Sequence, residues 1–190
     1  MLSQPVQTPA AKRRGPGRLL RGVLLAVLAG MIIRTAILEP VRVNGSSMRP
    51  TLRSGEVMLV THLDYLLGEP KRQDVVICYY PDRYVFQEQR MFRQYFVKRL
   101  IGLPGDTVEI VRGQVYLNGA PLDEPYLDPA LSKGTSSMAA VTLGEDEYFV
   151  MGDNRDNSND SRSIGPITRE MLVGRARSVF LPFPRRRQLR

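Results

Sequence analysis

Thr107-Val108-Glu109-Ile110-Val111-Arg112-Gly113-Gln114-Val115-Tyr116-Leu117-Asn118-Gly119 reads as two short extended runs. A bend at 111–114 joins them, and Asn118-Gly119 is a hairpin-type turn signal. The same grammar continues on either side. Val41-Arg42-Val43, Glu56 to Thr61, Asp74 to Tyr80, Tyr95 to Leu100 and Glu147 to Met151 read as further strands, punctuated by turn residues. Helical periodicity is weak throughout this region; residues 168–173 are expected to form one short turn. Six or more short strands without crossover helices predict a mainly β fold, an antiparallel barrel or sandwich. Residues 82–94 and 127–143 are expected to be surface loops or inserts.

At 190 residues the chain fits one medium domain plus appendages. The single cysteine, Cys78, excludes an internal disulfide and a cysteine-rich zinc site, and in its strand-like setting it reads as a small buried hydrophobe. The net charge of +8 is unevenly spread. Lys12, Arg13, Arg14, Arg18 and Arg21 precede residue 22 with no acid among them. Nucleic-acid binding would cluster bases on a folded face; a basic flank before an apolar run is a membrane address. Gly22 to Ile33 (GVLLAVLAGMII) is uncharged, and with its neighbours the apolar run extends to about one bilayer crossing. The chain therefore divides into a cytoplasmic basic tail (1–18), a transmembrane signal-anchor helix (19–38) and an extracytoplasmic catalytic domain (39–190). A cleaved secretory signal competes, but no convincing small-x-small site follows Ile33. A buried core helix is disfavoured by the five upstream bases.

Three segments carry chemistry. Ser47 lies in Gly45-Ser46-Ser47-Met48-Arg49-Pro50-Thr51-Leu52, a tight turn that suits a nucleophile as well as ordinary loop material. The chain has one histidine, His62, so a His–Asp relay is scarcely available. Lys98 is the alternative base. In the alternating run Tyr95 to Leu100 it shares a face with Phe96 and Leu100, and burying an ammonium is costly unless it sheds its proton. The competing reading lays its stem on the apolar face with the head in water. Gly152-Asp153-Asn154-Arg155-Asp156-Asn157-Ser158-Asn159-Asp160-Ser161-Arg162 is dense in short polar side chains that bond to backbone. It lacks EF-hand spacing, so an orienting loop fits better than a calcium loop.

Together these segments resemble the type I signal peptidases, in their bacterial single-anchor form. Ser-Met-x-Pro-Thr-Leu (Ser47 to Leu52), Lys-Arg-x-x-Gly-Leu-Pro-Gly-Asp (Lys98 to Asp106) and Gly-Asp-Asn-Arg-x-x-Ser-x-Asp-Ser-Arg (Gly152 to Arg162) occur in the family's order. The resemblance runs from about Arg34 to Pro182. It implies a membrane-anchored serine endopeptidase that removes signal peptides from exported precursors after small residues. By the match, Ser47 is the nucleophile, Lys98 the general base and Ser158 the group that orients Lys98. Asp153 and Arg99 match a structural ion pair, and Asp160 and Arg162 match residues that brace the loop. Val43, Met48, Leu52, Phe96 and Val97 fall where the family shapes its small-residue pockets. Gly45 stands where Gram-negative members carry a serine that completes the oxyanion hole, and here resembles Gram-positive members. No metal or other cofactor is implied. The expected partners are signal-peptide-bearing precursors and the lipid bilayer, with no nucleic acid and a monomer as the default state. Two rivals are a non-catalytic assembly factor for surface proteins and a self-cleaving Ser–Lys repressor. The first is expected to lack the serine or lysine, and the second to carry a DNA-binding module at its N-terminus.

Overall fold

The computed structural model describes residues 16–37, 39–87, 90–134 and 136–189. The chain divides into two compact units, one ending at Thr35 and one beginning at Ala36. The first holds most of helix α1 (Pro16–Ile37). Residues 20–30 are exposed on every face, although all but Arg21 are apolar or glycine. Among the described residues no helix is long and apolar enough to cross a membrane. Most of the expected cytoplasmic tail, and Leu38 at the end of the expected anchor, lie outside the described residues.

The second unit is built from β1 (Glu39–Arg42), β2 (Val57–Thr61), α2 (Leu63–Leu67), β3 (Val75–Gln87), β4 (Arg90–Gly102), β5 (Thr107–Val111), β6 (Gln114–Leu117), β7 (Ala120–Pro121), β8 (Met138–Thr142), β9 (Glu147–Met151), α3 (Ser161–Ile164), β10 (Ile167–Thr168), β11 (Leu172–Leu181) and β12 (Arg187–Gln188). The larger sheet runs β1-β2-β11-β3-β4-β9-β10, with β12 added to β11, and the smaller runs β7-β6-β5-β8. Each strand pairing is antiparallel. The mainly β expectation is met, but the barrel alternative is not. The larger sheet stays open, with β1 and β10 at its two ends.

Strands reach into the two stretches expected to be surface loops or inserts. Residues 82–87 and 90–94 extend β3 and β4 as paired strands, Tyr84 opposite Arg93 and Phe86 opposite Met91. Tyr84, Val85, Phe86 and Phe92 are β-formers set among arginines and glutamines. The second presumed insert, 127–143, contributes β8, which pairs with β5.

Alternation along β4 decides what each face touches. Phe96 and Leu100 join a cluster with Val76, Cys78, Val150 and Leu172. Val97 packs against Val43, Met48, Leu52 and Val75. Ile101 belongs to a third cluster, with Val108, Val115 and Phe149, which fills the space over the smaller sheet. The turn at 102–106 is closed by Asp106, whose carboxylate accepts from Leu103 N at 2.7 Å and Arg72 at 2.9 Å. Lys98 and Arg99 thus lie in a strand clamped between two cores, which is why their positions are well defined.

Candidate active site

The turn after β1 is anchored from below. Met48 and Leu52 are 2% and 0% exposed, and Leu52 N donates to Met48 O at 2.7 Å. Burying two such side chains stabilises the turn by about 3 to 6 kcal/mol relative to leaving them in water. Gly45 has φ +104°, a conformation that L side chains rarely adopt. A serine in that conformation would be strained. Glu56 lies behind the turn, accepting from Arg53 N at 2.9 Å and from Arg187 Nη2 at 2.8 Å. Arg187 also donates to Thr51 O.

Lys98 is 2% exposed and stands opposite Val76 in the β3–β4 ladder. Its Nζ donates to Ser158 Oγ at 3.0 Å. Burial holds its pKa below the ordinary 10.5, with the charge of Asp160 opposing part of that effect. Loss of the proton leaves a lone pair on a nitrogen fixed beside a hydroxyl, which is what a general base needs. Cys78 shares that face, and burial pushes its thiol up to about 12, so it remains neutral.

The loop 152–162 is fixed at both ends. Asp160 is fully buried, caps α3 and accepts from Gly152 N at 2.9 Å and from Arg162 Nε at 2.8 Å. Burial alone would raise its pKa, but Arg162 and the Gly152 N–H hold it below the usual carboxylate range. Arg162 Nη2 reaches Arg155 O at 2.8 Å. At the other end Asp153 receives Arg99 Nε at 2.8 Å and Nη2 at 2.7 Å, with both side chains 1% exposed. Thr51 Oγ1 donates to the same carboxylate. A bidentate pair at such depth orients strongly, whatever its net contribution to stability.

The loop also grips the serine turn. Asn154 N donates to Ser47 O at 2.9 Å, Asn154 Nδ2 to Ser46 O at 3.2 Å and Asn157 Nδ2 to Ser46 Oγ at 2.9 Å. Gly152 is the meeting point. A Cβ there would lie 2.3 Å from Ser158 Oγ and 2.6 Å from Ser47 O, so only glycine lets the two approach. The predicted nucleophile turn, the lysine strand and the polar loop therefore converge.

The residues expected to shape pockets are placed less openly. Val43, Met48 and Leu52 are core residues, while Phe96 and Val97 are half-buried on β4. His62 is engaged elsewhere: Nδ1 faces Val173 O at 2.8 Å and Nε2 faces Glu39 at 2.9 Å. Burial works against its charge, but these two acceptors outweigh that and raise its pKa above 6.5. Both ring nitrogens are thus already engaged. Sequence reasoning missed Thr51, Asn154, Asn157 and Arg187. Each has a partner more than a hundred residues away, which no local pattern reveals.

Relatives among known proteins span most of the chain. Signal peptidase I of Bacillus licheniformis is 38% identical over 172 residues, covering 86% of this chain and 88% of that protein. Signal peptidase I T of Bacillus subtilis (strain 168) is 38% identical over 176 residues, covering 88% and 86%. A crystal structure of a signal peptidase I from Enterococcus faecalis V583 shares 33% identity and covers 56% of this chain and 96% of that one, with a TM-score of 0.44. The family described as signal peptidase, peptidase S26, matches residues 17–181, and the chain belongs to that family.

Proposed function

We propose that this chain is a signal peptidase I that cleaves signal peptides from exported precursors after small residues, with Ser47 as nucleophile and Lys98 as base. The observation that carries the assignment is the buried Lys98 amine on Ser158 Oγ, in a loop hydrogen-bonded to the Ser46–Ser47 turn. Neutral Lys98 takes the Ser47 proton as Oγ attacks the scissile carbonyl. The C–N bond breaks, Lys98 returns the proton to the leaving amine, and an acyl-enzyme remains. Lys98 then removes a proton from water as it attacks the ester, and passes that proton to Ser47 Oγ when the ester C–O bond breaks. The Ser47 backbone N–H is the first oxyanion donor. Ser158 keeps the lysine aimed, the Arg99–Asp153 pair fixes the strand against the loop, and Asp160 with Arg162 braces that loop. Val43, Met48, Leu52, Phe96 and Val97 back the shallow pockets for small side chains.

The run 19–38 anchors the enzyme in the cell membrane, with the basic tail cytoplasmic and the domain from 39 onward outside. Two features support this: four bases, Lys12, Arg13, Arg14 and Arg18, precede the run, and α1 leaves Leu20 (72%) and Leu25 (68%) exposed. The enzyme acts as a monomer. The test is cleavage of a signal-bearing precursor in liposomes by wild type, Ser47→Ala and Lys98→Ala, with folding checked by circular dichroism. Wild type cuts after a small residue and both folded variants are silent. Cleavage by folded Lys98→Ala would overturn the assignment of the base.

A further inference from the structure

One segment joins both halves of the site without belonging to either. Glu124-Pro125-Tyr126 follows β7, the edge strand of the smaller sheet. The Glu124 carboxylate takes both Nη atoms of Arg155, Nη1 at 3.1 Å, and each side chain is 6% exposed. Arg155 Nε donates to Gly152 O at 3.2 Å, and Arg155 O accepts from Arg162. Glu124 therefore holds the guanidinium that holds Gly152, where Ser47 O and the Ser158 side chain meet. Tyr126 completes the link. Its hydroxyl donates to Glu124 Oε1 at 2.6 Å, and its ring lies 3.9 Å from the guanidinium carbon of Arg99, the neighbour of Lys98 in β4. Nearby, Ser132 Oγ reaches Asp153 O and Asp156 N reaches Leu131 O, so the same strap is stitched along the loop.

We propose that Glu124 and Tyr126 are positioning residues for the cleavage reaction, a clip that sets the distance between the Lys98 strand and the Ser158 loop. The inference rests on the Ser47–Lys98 reading. A buried carboxylate bound by both Nη atoms of an arginine is costly to place, and it holds that guanidinium in one direction. A tyrosine that both donates to that carboxylate and stacks on Arg99 fixes the two basic residues relative to each other. Loosening the clip lets the loop draw back, admits water to Lys98 and returns its pKa towards the ordinary value.

The test uses the full-length protein in liposomes, with rates normalised to the folded fraction. Tyr126→Phe, which removes only the hydroxyl, and Glu124→Gln are expected to lower kcat by on the order of tenfold to a hundredfold. KM is expected to hold within about twofold, because binding of the precursor is untouched. The alkaline rise of the kcat profile is expected to move to higher pH. The paired variant E124L/R155L is expected to recover thermal stability but neither kcat nor the profile. Wild-type kcat and profile in folded Tyr126→Phe would overturn the proposal. So would a drop in kcat with an unmoved profile, or recovery of activity in the Leu pair, since either marks a merely structural contact. Ser47→Ala and Lys98→Ala run alongside: if either cuts, the dyad reading fails on its own account; if both are silent and Tyr126→Phe behaves as wild type, only the clip fails.

Discussion

Lys98 shows how one residue can make a site active at the expense of stability. Its folded pKa lies below 10.5, so over the interval between the two values the unfolded chain binds the extra proton. Stability contributed by this residue therefore rises with pH across that interval, and below it the penalty is full. Lys98→Met, of similar length and without charge, is expected to abolish cleavage yet stabilise the fold at neutral pH, read as a raised urea midpoint. The gap from wild type should close as pH approaches 10.5, where lysine is neutral in both states. Urea melts at several pH values measure this; a gap independent of pH would mean that Lys98 is not penalised by burial. This residue was legible in the sequence because strand alternation put it between Phe96 and Leu100. Asn154 and Asn157 were not: within their loop they look like any self-bonding asparagines, and their work on Ser46 appears only when 46 and 157 are brought together.

Among the elements, β5, β6 and β9 begin and end where the pattern of apolar residues and turns put them. The longest miss is β11, which lies inside the larger sheet between β2 and β3. Its inward positions include Gly174 and Ala176, and its outward ones Arg175 and Arg177, so no apolar alternation marks it. The outer arginines are paired, Arg175 with Asp74 at 2.8 Å and Arg177 with Asp64. The inner glycine is a packing requirement. A Cβ at 174 would lie 2.8 Å from both Thr61 O and Val60 Cγ1. Gly174→Val is expected to cost about 3 kcal/mol by forcing β2 away from β11, and to lower Tm accordingly. An unchanged Tm would show that the ladder absorbs the extra atoms. The strand segments at 82–87 and 90–94 were missed for the opposite reason: their arginines and glutamines masked a run of β-formers.

Across the whole molecule, carboxylates with depressed pKa values secure the junctions. Asp160 braces the polar loop, Glu56 backs the serine turn, Asp106 closes the β4–β5 turn and Asp64 holds β11. In each, burial is outweighed chiefly by an arginine partner, so the folded pKa lies below the ordinary 3.8 or 4.5. Their stabilisation is complete above those values and lost as pH falls through the lower folded ones. His62 has the opposite sign: its folded pKa is raised, so its small contribution is present in acid and fades above 6.5. Denaturation midpoints are expected to hold between about pH 5 and 8 and to drop steeply below about pH 4. A flat response down to pH 3 would count against these pairs. The Glu56–Arg187 contact has a temporal side. Partners separated by 131 residues, with Asn154 and Ser46 separated by 108, cannot meet until most of the domain has been synthesised. The serine turn comes out early and its supports come out late. A nascent chain with Ser47 already made therefore waits for most of its own length before that turn is held in place.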